Sequence, residues 1–541
     1  MFPLPYPRSA FKRRFVFLWL LLWCGLTRAA PDAATLKDLA SDDFDARIAA
    51  IQSLGIDGDV PSQRILQALE DDALAVAGTR LVILDGEQIV DAGSGEAITP
   101  PPEEYDTITV NNRVRLALEE AKAAMGVFAS ERTTRLAAAK ILRDAASERL
   151  VSVFDKALAT EPDADVRKIL VLASARANLT AADVAKRLKA VQTLAESSDP
   201  NVRAMLADRL VKEGEAFREP AAEVRTAIEY AVRAIERRIA LAESVGSLFT
   251  GLSLGSILLL AALGLAITYG VMGVINMAHG ELLMVGAYAT YLVQGLFRQY
   301  LPGALDWYVV AAVPVAFFAA ALVGVLMERT VIRFLYGRPL ESLLATWGLS
   351  LVLIQAARVI FGPQNLEVAN PVWMSGGVAL VGDVVLPWNR IVIVGFAGFV
   401  LFLIWLMMQK TRLGMFVRAV TQNRAMAGCV GVPTARVDTL AFAIGAGVAG
   451  LGGCALSQIA NVGPAMGQGY IVDAFLVVVV GGVGQLAGAV WAALGLGLIS
   501  KVLEGWAGAV IAKILVLLLI IVFIQKRPQG LFAMKGRFVD S

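Results

Sequence analysis

The residues with the widest chemical repertoire in this 541-residue chain lie in one short segment, Gly273 to Glu281, which reads Gly-Val-Ile-Asn-Met-Ala-His-Gly-Glu and holds the chain's single histidine. Asn276 can donate and accept hydrogen bonds, and His279 can do either from one ring. Glu281 adds a carboxylate that would orient His279 or sit at a helix start, where negative charge is favoured. Such a set suits passage of a small polar solute and needs no bond to be made or broken. Thr346, followed by Trp347 and Gly348, is a second polar notch in an apolar run. Ordinary helix packing accounts for it equally well.

Other chemistries lack their residues. The chain has no G-x-x-x-x-G-K-[ST] phosphate loop. One histidine cannot build a multi-histidine metal site, and Cys24, Cys429 and Cys454 are too far apart for a metal or disulfide pattern. A net charge of +2 with no aromatic-basic stripe gives no argument for nucleic acid. The expectation is a transport subunit, not an enzyme, with no cofactor of its own.

The elements that position the polar segment are apolar runs. The chain is 57% hydrophobic with mean hydropathy +0.63, and only 27 of its 96 Lys, Arg, Asp and Glu residues follow Ser247. Runs at about 247–272, 281–297, 309–330, 342–361, 390–409, 438–460, 473–500 and 508–525 approach the roughly 20 residues a helix needs to cross a bilayer. Between the first two, the polar segment is either a helix broken at membrane depth or a short loop outside it.

Loop charge gives orientation. Lys410, Arg412, Arg418, Arg424 and Arg436 share one loop without an acid, and Arg333, Arg338 and Lys526, Arg527, Lys535, Arg537 mark two further basic segments. The positive-inside rule makes all three cytoplasmic. Loop 362–389, with Glu367 and Asp383, faces outward. An exported front half then requires an odd number of crossings, so 473–500 is expected to divide near Gly481-Gly482-Val483-Gly484. Gly481, Gly482, Gly484 and Gly488 would serve close helix packing. Within the basic loop, Thr421 to Cys429 reads as a short helix closed by Gly431 and Pro433, with small residues at Ala419, Ala425, Ala427 and Gly428 that allow close approach.

The front half begins with Lys12-Arg13-Arg14, an apolar run to Leu26 and small residues around Ala29. That is the pattern of a secretory signal peptide, 1–29, with an uncleaved anchor as the alternative. Residues 30–246 read as an exported helical domain. Thr134-Arg135, Val166-Arg167 and Val202-Arg203 recur at spacings of 32 and 36 after polar turns, and Asp163 and Asp199 would cap the helices that follow. This suits HEAT-like stacked helix pairs, in which the arginine would bridge to the next repeat. Residues 79–90 read as a small β-hairpin around Asp85-Gly86.

Five stretches occur in an order that resembles the LivH-type permease family of ABC importers: Val274–Glu281, Arg418–Val432, Phe442–Gly453, Val478–Val490 and Arg527–Phe532. The resemblance covers about 247–534 and implies an all-α polytopic bundle of about eight to ten spans with a broken or re-entrant segment, leaving 535–541 as a cytoplasmic tail. It implies a bacterial inner-membrane protein with a periplasmic front domain. Its partners would be a second, LivM-type permease subunit, two cytoplasmic ATP-binding subunits that use ATP and Mg, and a periplasmic solute-binding protein. Arg418, Ala419, Gln422, Asn423, Arg424, Ala427 and Gly431 would form the helix coupled to the ATPase.

The exported extension, Met277 and Gly286–Tyr291 resemble the urea-type branch of the family. Urea is neutral and rich in donors and acceptors, which fits a path of Asn276, His279, Glu281 and Thr346. A permease for branched-chain amino acids is the alternative, which would require charged groups such as Asp473, Arg358 or Lys513. A membrane-anchored sensor is the reading of a different class, for which some nine crossings are more than an anchor needs.

Overall fold

The computed structural model describes residues 31–532 apart from 79, 87, 103, 215, 382 and 383. The signal-peptide segment, Asp383, and the 535–541 tail lie outside the described residues. The chain divides into two units, 1–237 and 238–541.

The first unit starts with helices α1 (Ala33–Leu39), α2 (Phe44–Asp57) and α3 (Val60–Glu70). Strands β1 (Leu74–Ala77), β2 (Arg80–Asp85), β3 (Gln88–Asp91) and β4 (Asp106–Thr107) form one antiparallel sheet in the order β3-β2-β1-β4. The hairpin expected at 79–90 is therefore the β2–β3 half of a larger sheet. The added strand β1, Leu-Ala-Val-Ala, is too short to show a strand period against its Ala-rich surroundings. Helices α4 (Asn112–Gly126), α5 (Arg132–Asp144), α6 (Val151–Thr160), α7 (Ala164–Asn178), α8 (Val184–Leu194) and α9 (Pro200–Asp208) follow. A two-residue ladder, β5 (Lys212–Glu213) with β6 (Ala216–Phe217), ends the series.

Asp43, Asp163 and Asp199 each accept a main-chain N–H at the start of the helix that follows, a cap worth about 1 kcal/mol. Four arginines in the first turns of these and neighbouring helices do something the sequence did not suggest. Arg47 donates to Ser41 O (2.6 Å), Arg135 to Ala129 O (3.1 Å), Arg167 to Glu161 O and Arg187 to Ala181 O (2.8 Å), each reaching back six residues. Arginine thus closes its own entry turn, where backbone carbonyls have no helical partner. Forward bridges exist as well, from Arg135 to Glu161 (3.0 Å) and from Arg187 to Glu219 (3.0 Å), while Arg203 reaches Glu236 only at the surface.

This turn chemistry carries a pH dependence. Burial alone would raise the Glu161 carboxyl, but the Arg135 guanidinium and the Asp163 N–H hold it below its usual value. Arg132, then the Val166 N–H, lower Asp163. The unfolded chain therefore binds more protons than the folded one at acid pH. The stabilisation is complete above the ordinary carboxylate values of 4.5 and 3.8 and is lost as pH falls through the lowered ones. Amide protection in α5–α7, corrected for intrinsic exchange, is expected to be flat from pH 8 to 6 and to drop below about pH 4. Equal corrected protection at pH 3 and pH 7 would contradict this.

Helix α10 (Ala222–Met272) begins in the first unit and ends in the second. The second unit continues with α11 (His279–Tyr300), α12 (Tyr308–Thr330), α13 (Pro339–Phe361), a small β7–β8 hairpin (Gly377–Val381, Val384–Pro387) and α14 (Trp388–Lys410). Then come α15 (Arg412–Gln422), α16 (Arg424–Cys429), α17 (Thr434–Leu456), α18 (Met466–Gly481), α19 (Leu486–Ala507) and α20 (Ala509–Lys526).

Among the described residues, seven helices are long and apolar enough to cross a membrane. That is fewer than the eight to ten expected, for two reasons. Helix α11 carries Glu281, Gln294 and several glycines, which dilute its hydropathy, and α18 has only 16 residues. The run 473–500 does divide where the glycines stand. Gly482 (φ +97°) and Gly484 (φ +75°) form the elbow between α18 and α19, in a region of φ that only glycine enters without strain.

Helix α17 is the centre of the second unit, with α10, α11 and α12 around it. Its repeated glycines let neighbouring backbones approach: a Cβ on Gly445 would lie 2.6 Å from Gly264 O, and one on Gly450 2.5 Å from Ala316 O. Small residues at crossings are how helices associate where lipid removes the hydrophobic drive.

Candidate functional site

Helix α10 stops because Gly273 takes a left-handed conformation (φ +67°). Six residues of non-helical chain follow before α11 begins at His279. The side chain of Asn276 stays with its own backbone, accepting the Ala278 N–H at 3.0 Å. Asn276, His279, Glu281 and Thr346 are all essentially inaccessible to solvent. The polar segment is thus a helix break inside the bundle, and the reading as an exposed loop is not what forms.

Each polar group has a distinct partner. His279 Nε2 lies 3.0 Å from the Ala261 carbonyl of α10. A carbonyl only accepts, so the proton sits on Nε2 and Nδ1 is left as an acceptor. Thr346 of α13 accepts the Met277 N–H at 3.1 Å and donates to Ser342 O at 2.8 Å, so it ties α13 to the break. Glu281 does not orient His279. Its Oε1 accepts a hydrogen bond from the hydroxyl of Ser350, one turn beyond Thr346 on α13. Ser350 shares the helix face of Thr346, as residues four apart do, but the sequence motifs do not single it out. Trp347 is not part of the notch, being 54% exposed on another face of α13.

Three buried atoms at the break have no hydrogen-bond partner among the described residues: Asn276 Nδ2, His279 Nδ1 and Glu281 Oε2. An unpaired buried polar group costs about 1–3 kcal/mol, so the break concentrates unsatisfied donors and acceptors. His279→Ala is expected to lower solute flux at least fivefold while membrane accumulation stays within twofold of the parent, checked by uptake and immunoblot. Loss of accumulation would instead mark His279 as a packing residue.

The basic loop is two helices. The single helix expected over 421–429 is divided at Asn423, whose extended backbone ends α15 and whose side chain accepts the Met426 N–H at 2.9 Å to start α16. Arg418 folds back to donate to Met408 O of α14. Of the small residues expected to admit a partner, Ala419 is half-buried and Ala427 is buried, while Ala425 and Gly428 are exposed. Arg424 is turned partly inward and pairs with the fully buried Asp438 of α17. Gln422, Asn423, Met426, Val430 and Gly431 remain exposed, with Gly431 at φ +89° ending the segment.

The glycine-rich elbow packs as expected. A Cβ on Gly481 would lie 2.5 Å from Gly488 C, and one on Gly270 2.9 Å from Gly484 Cα. The Arg527–Phe532 stretch closes over it. Leu531 N–H donates to Val480 O at 2.8 Å, and Gly530 lies against Gly482.

The family described as "Branched-chain amino acid transport system / permease component" matches residues 247–524. The chain belongs to this permease family. Among curated relatives, the high-affinity branched-chain amino acid transport system permease protein BraD of Pseudomonas aeruginosa is 28% identical over 290 residues, covering 52% of this chain and 94% of BraD. LivH of Escherichia coli is 28% identical over 291 residues, with 52% and 94% covered. Both similarities leave nearly half of this permease family member without a counterpart. The chain is a multi-pass membrane transport subunit.

Proposed function

We propose that this chain forms the solute path of an ABC importer in the inner membrane and is driven by cytoplasmic ATP-binding subunits. The observation that carries this reading is the buried helix break, with Asn276, His279, Glu281 and Thr346 gathered inside the helix bundle. Donors and acceptors left unpaired there are ready to exchange hydrogen bonds with a passing solute. A periplasmic binding protein would deliver that solute to the face opposite α15–α16, and a second permease of the LivM type would complete the path. The acid-free loop puts α15 and α16 in the cytoplasm. The exported front domain, with its HEAT-like turns, would lie in the periplasm.

For the substrate, the names of the relatives favour branched-chain amino acids over the urea that the motifs suggested. Half-buried Asp473, paired with Lys513 at 3.6 Å, supplies the opposite charges a zwitterion would call for. The uncharged donor Asn276 Nδ2 and the free acceptor His279 Nδ1 keep urea as the second reading. Uptake of labelled leucine and of labelled urea, in cells with and without this chain, separates them. Leucine uptake lost with urea uptake unchanged supports the first; the reverse supports the second.

Arg418→Glu tests the drive. It removes the bond to Met408 O that holds α15 to α14 and adds an acid to the basic face. Uptake is expected to fall at least tenfold with the permease still present in the membrane. Normal uptake would remove this loop from the coupling.

A further inference from the structure

A chain of contacts runs from α16 to the helix break, entirely within the second unit. Arg424, the first residue of α16, pairs through both guanidinium nitrogens with Asp438, which is fully buried. Its guanidinium carbon stands 4.9 Å from the centre of the Tyr336 ring. The Tyr336 hydroxyl donates to Glu328 Oε1 at 3.0 Å and lies 3.2 Å from the sulfur of Met272. Met272 is the last residue of α10, directly before Gly273 opens the break. Glu328 is held in turn by the Thr439 hydroxyl at 2.8 Å.

Two buried acids, one arginine and one tyrosine hydroxyl therefore meet where α12, α17 and α16 converge on the end of α10. A pure packing contact would not be built this way. Burying Glu328 and Asp438 is costly, and the cost is offset only while Arg424, Tyr336 and Thr439 keep their places. Such a cluster resists partial displacement. When α16 moves, Arg424 either carries Asp438 and the Tyr336 ring with it or leaves a buried carboxylate unpaired. The same short segment reaches the break twice, since Tyr336 touches Met272 at its start and Thr346 holds the Met277 N–H at its other side.

We infer that Tyr336 is a transmission residue: it passes movement of α16, through the Arg424–Asp438 pair and Glu328, to the end of α10 and so to the polar break. This rests on the importer reading and adds to it the route by which the cytoplasmic helices act on the path. Neither Tyr336 nor Glu328 touches solute in this scheme. They set when the break rearranges.

The test uses the assembled importer in proteoliposomes, with its ATP-binding subunits, partner permease and solute-loaded binding protein. Tyr336→Leu and Tyr336→Phe are compared with the parent for ATP hydrolysed and solute imported. Tyr336→Leu removes both ring and hydroxyl contacts; Tyr336→Phe keeps the ring beneath Arg424 and removes the hydroxyl, and with it both the bond to Glu328 and the contact with the Met272 sulfur. The ratio of solute imported to ATP hydrolysed is expected to fall about tenfold in the first and at least threefold in the second, with hydrolysis within twofold of the parent. If Tyr336→Leu does not assemble, Tyr336→Phe decides alone. An unchanged ratio in Tyr336→Phe, or an equal loss of hydrolysis and import, overturns the inference. If the parent chain itself imports nothing in response to ATP, the importer reading fails instead.

Discussion

Gly286→Leu is expected to reduce accumulation of the full-length protein in membranes by at least tenfold. Gly286 lies where α11 crosses α17, and a Cβ built on it would come 2.5 Å from the Cα of Gly450. The opposing atoms are backbone, so no rotamer change relieves the clash. Gly450 in turn has Ala316 O of α12 within 2.5 Å of its own Cβ direction. Separating α11 from α17 would therefore disturb a three-helix contact. Overpacking by a few methylenes in a side-chain core costs about 1–3 kcal/mol, and backbone against backbone leaves less room to relax. Gly295→Leu is the matched control, since nothing stands within 4 Å of its Cβ position on the same helix. Equal accumulation of the two variants, with the same resistance to protease in detergent, would refute the crossing.

Glu219→Ala should unfold the end of the first unit. Arg187 and Glu219 face each other with side chains 10% and 2% exposed, joined by bonds of 3.0 and 3.2 Å. Glu219 also accepts the Ala221 N–H at 3.1 Å, which shapes the turn into α10. Removing one member leaves a buried charge unpaired and costs about 3–5 kcal/mol. Part of that is offset because Arg187 still holds Ala181 O and Ala182 O. Protease cleavage between residues 180 and 225 of the membrane-embedded full chain is expected to rise at least tenfold. The double variant Arg187→Met/Glu219→Leu should restore most of the resistance, because it buries no charge. Matching resistance in Glu219→Ala and the parent would show that the pair adds nothing.

Much of this architecture was legible because bilayers impose simple demands. Length and hydropathy located the apolar helices, and the glycines at 481–484 marked the elbow that divides 473–500. The polar segment after Gly273 stood out for the same reason, since asparagine, histidine and glutamate are costly in an apolar setting, but the sequence left open whether it was a broken helix or an outside loop. What stayed hidden was pairing. Nothing in a linear pattern says that Glu281 meets Ser350 rather than His279, or that Arg424 meets Asp438 rather than a partner protein. In each pair the companion lies on another helix. The small-residue reading went to the 481–488 elbow, while the glycines of 442–453 served only as a resemblance; in the structure they seat α17 against its neighbours. In the front half, caps could be read from Asp163 and Asp199. The backward reach of Arg47, Arg135, Arg167 and Arg187 could not, because a donor six residues ahead of its acceptor leaves no periodic trace.

The seating of Gly530 on Gly482, with Leu531 donating to Val480, turns the Arg527–Phe532 stretch into a latch. A ribosome that stopped at Lys526 would release every apolar helix and still deliver a carrier whose final hinge hangs open. Neither glycine can gain bulk, because each sits at positive φ with backbone where a Cβ would go.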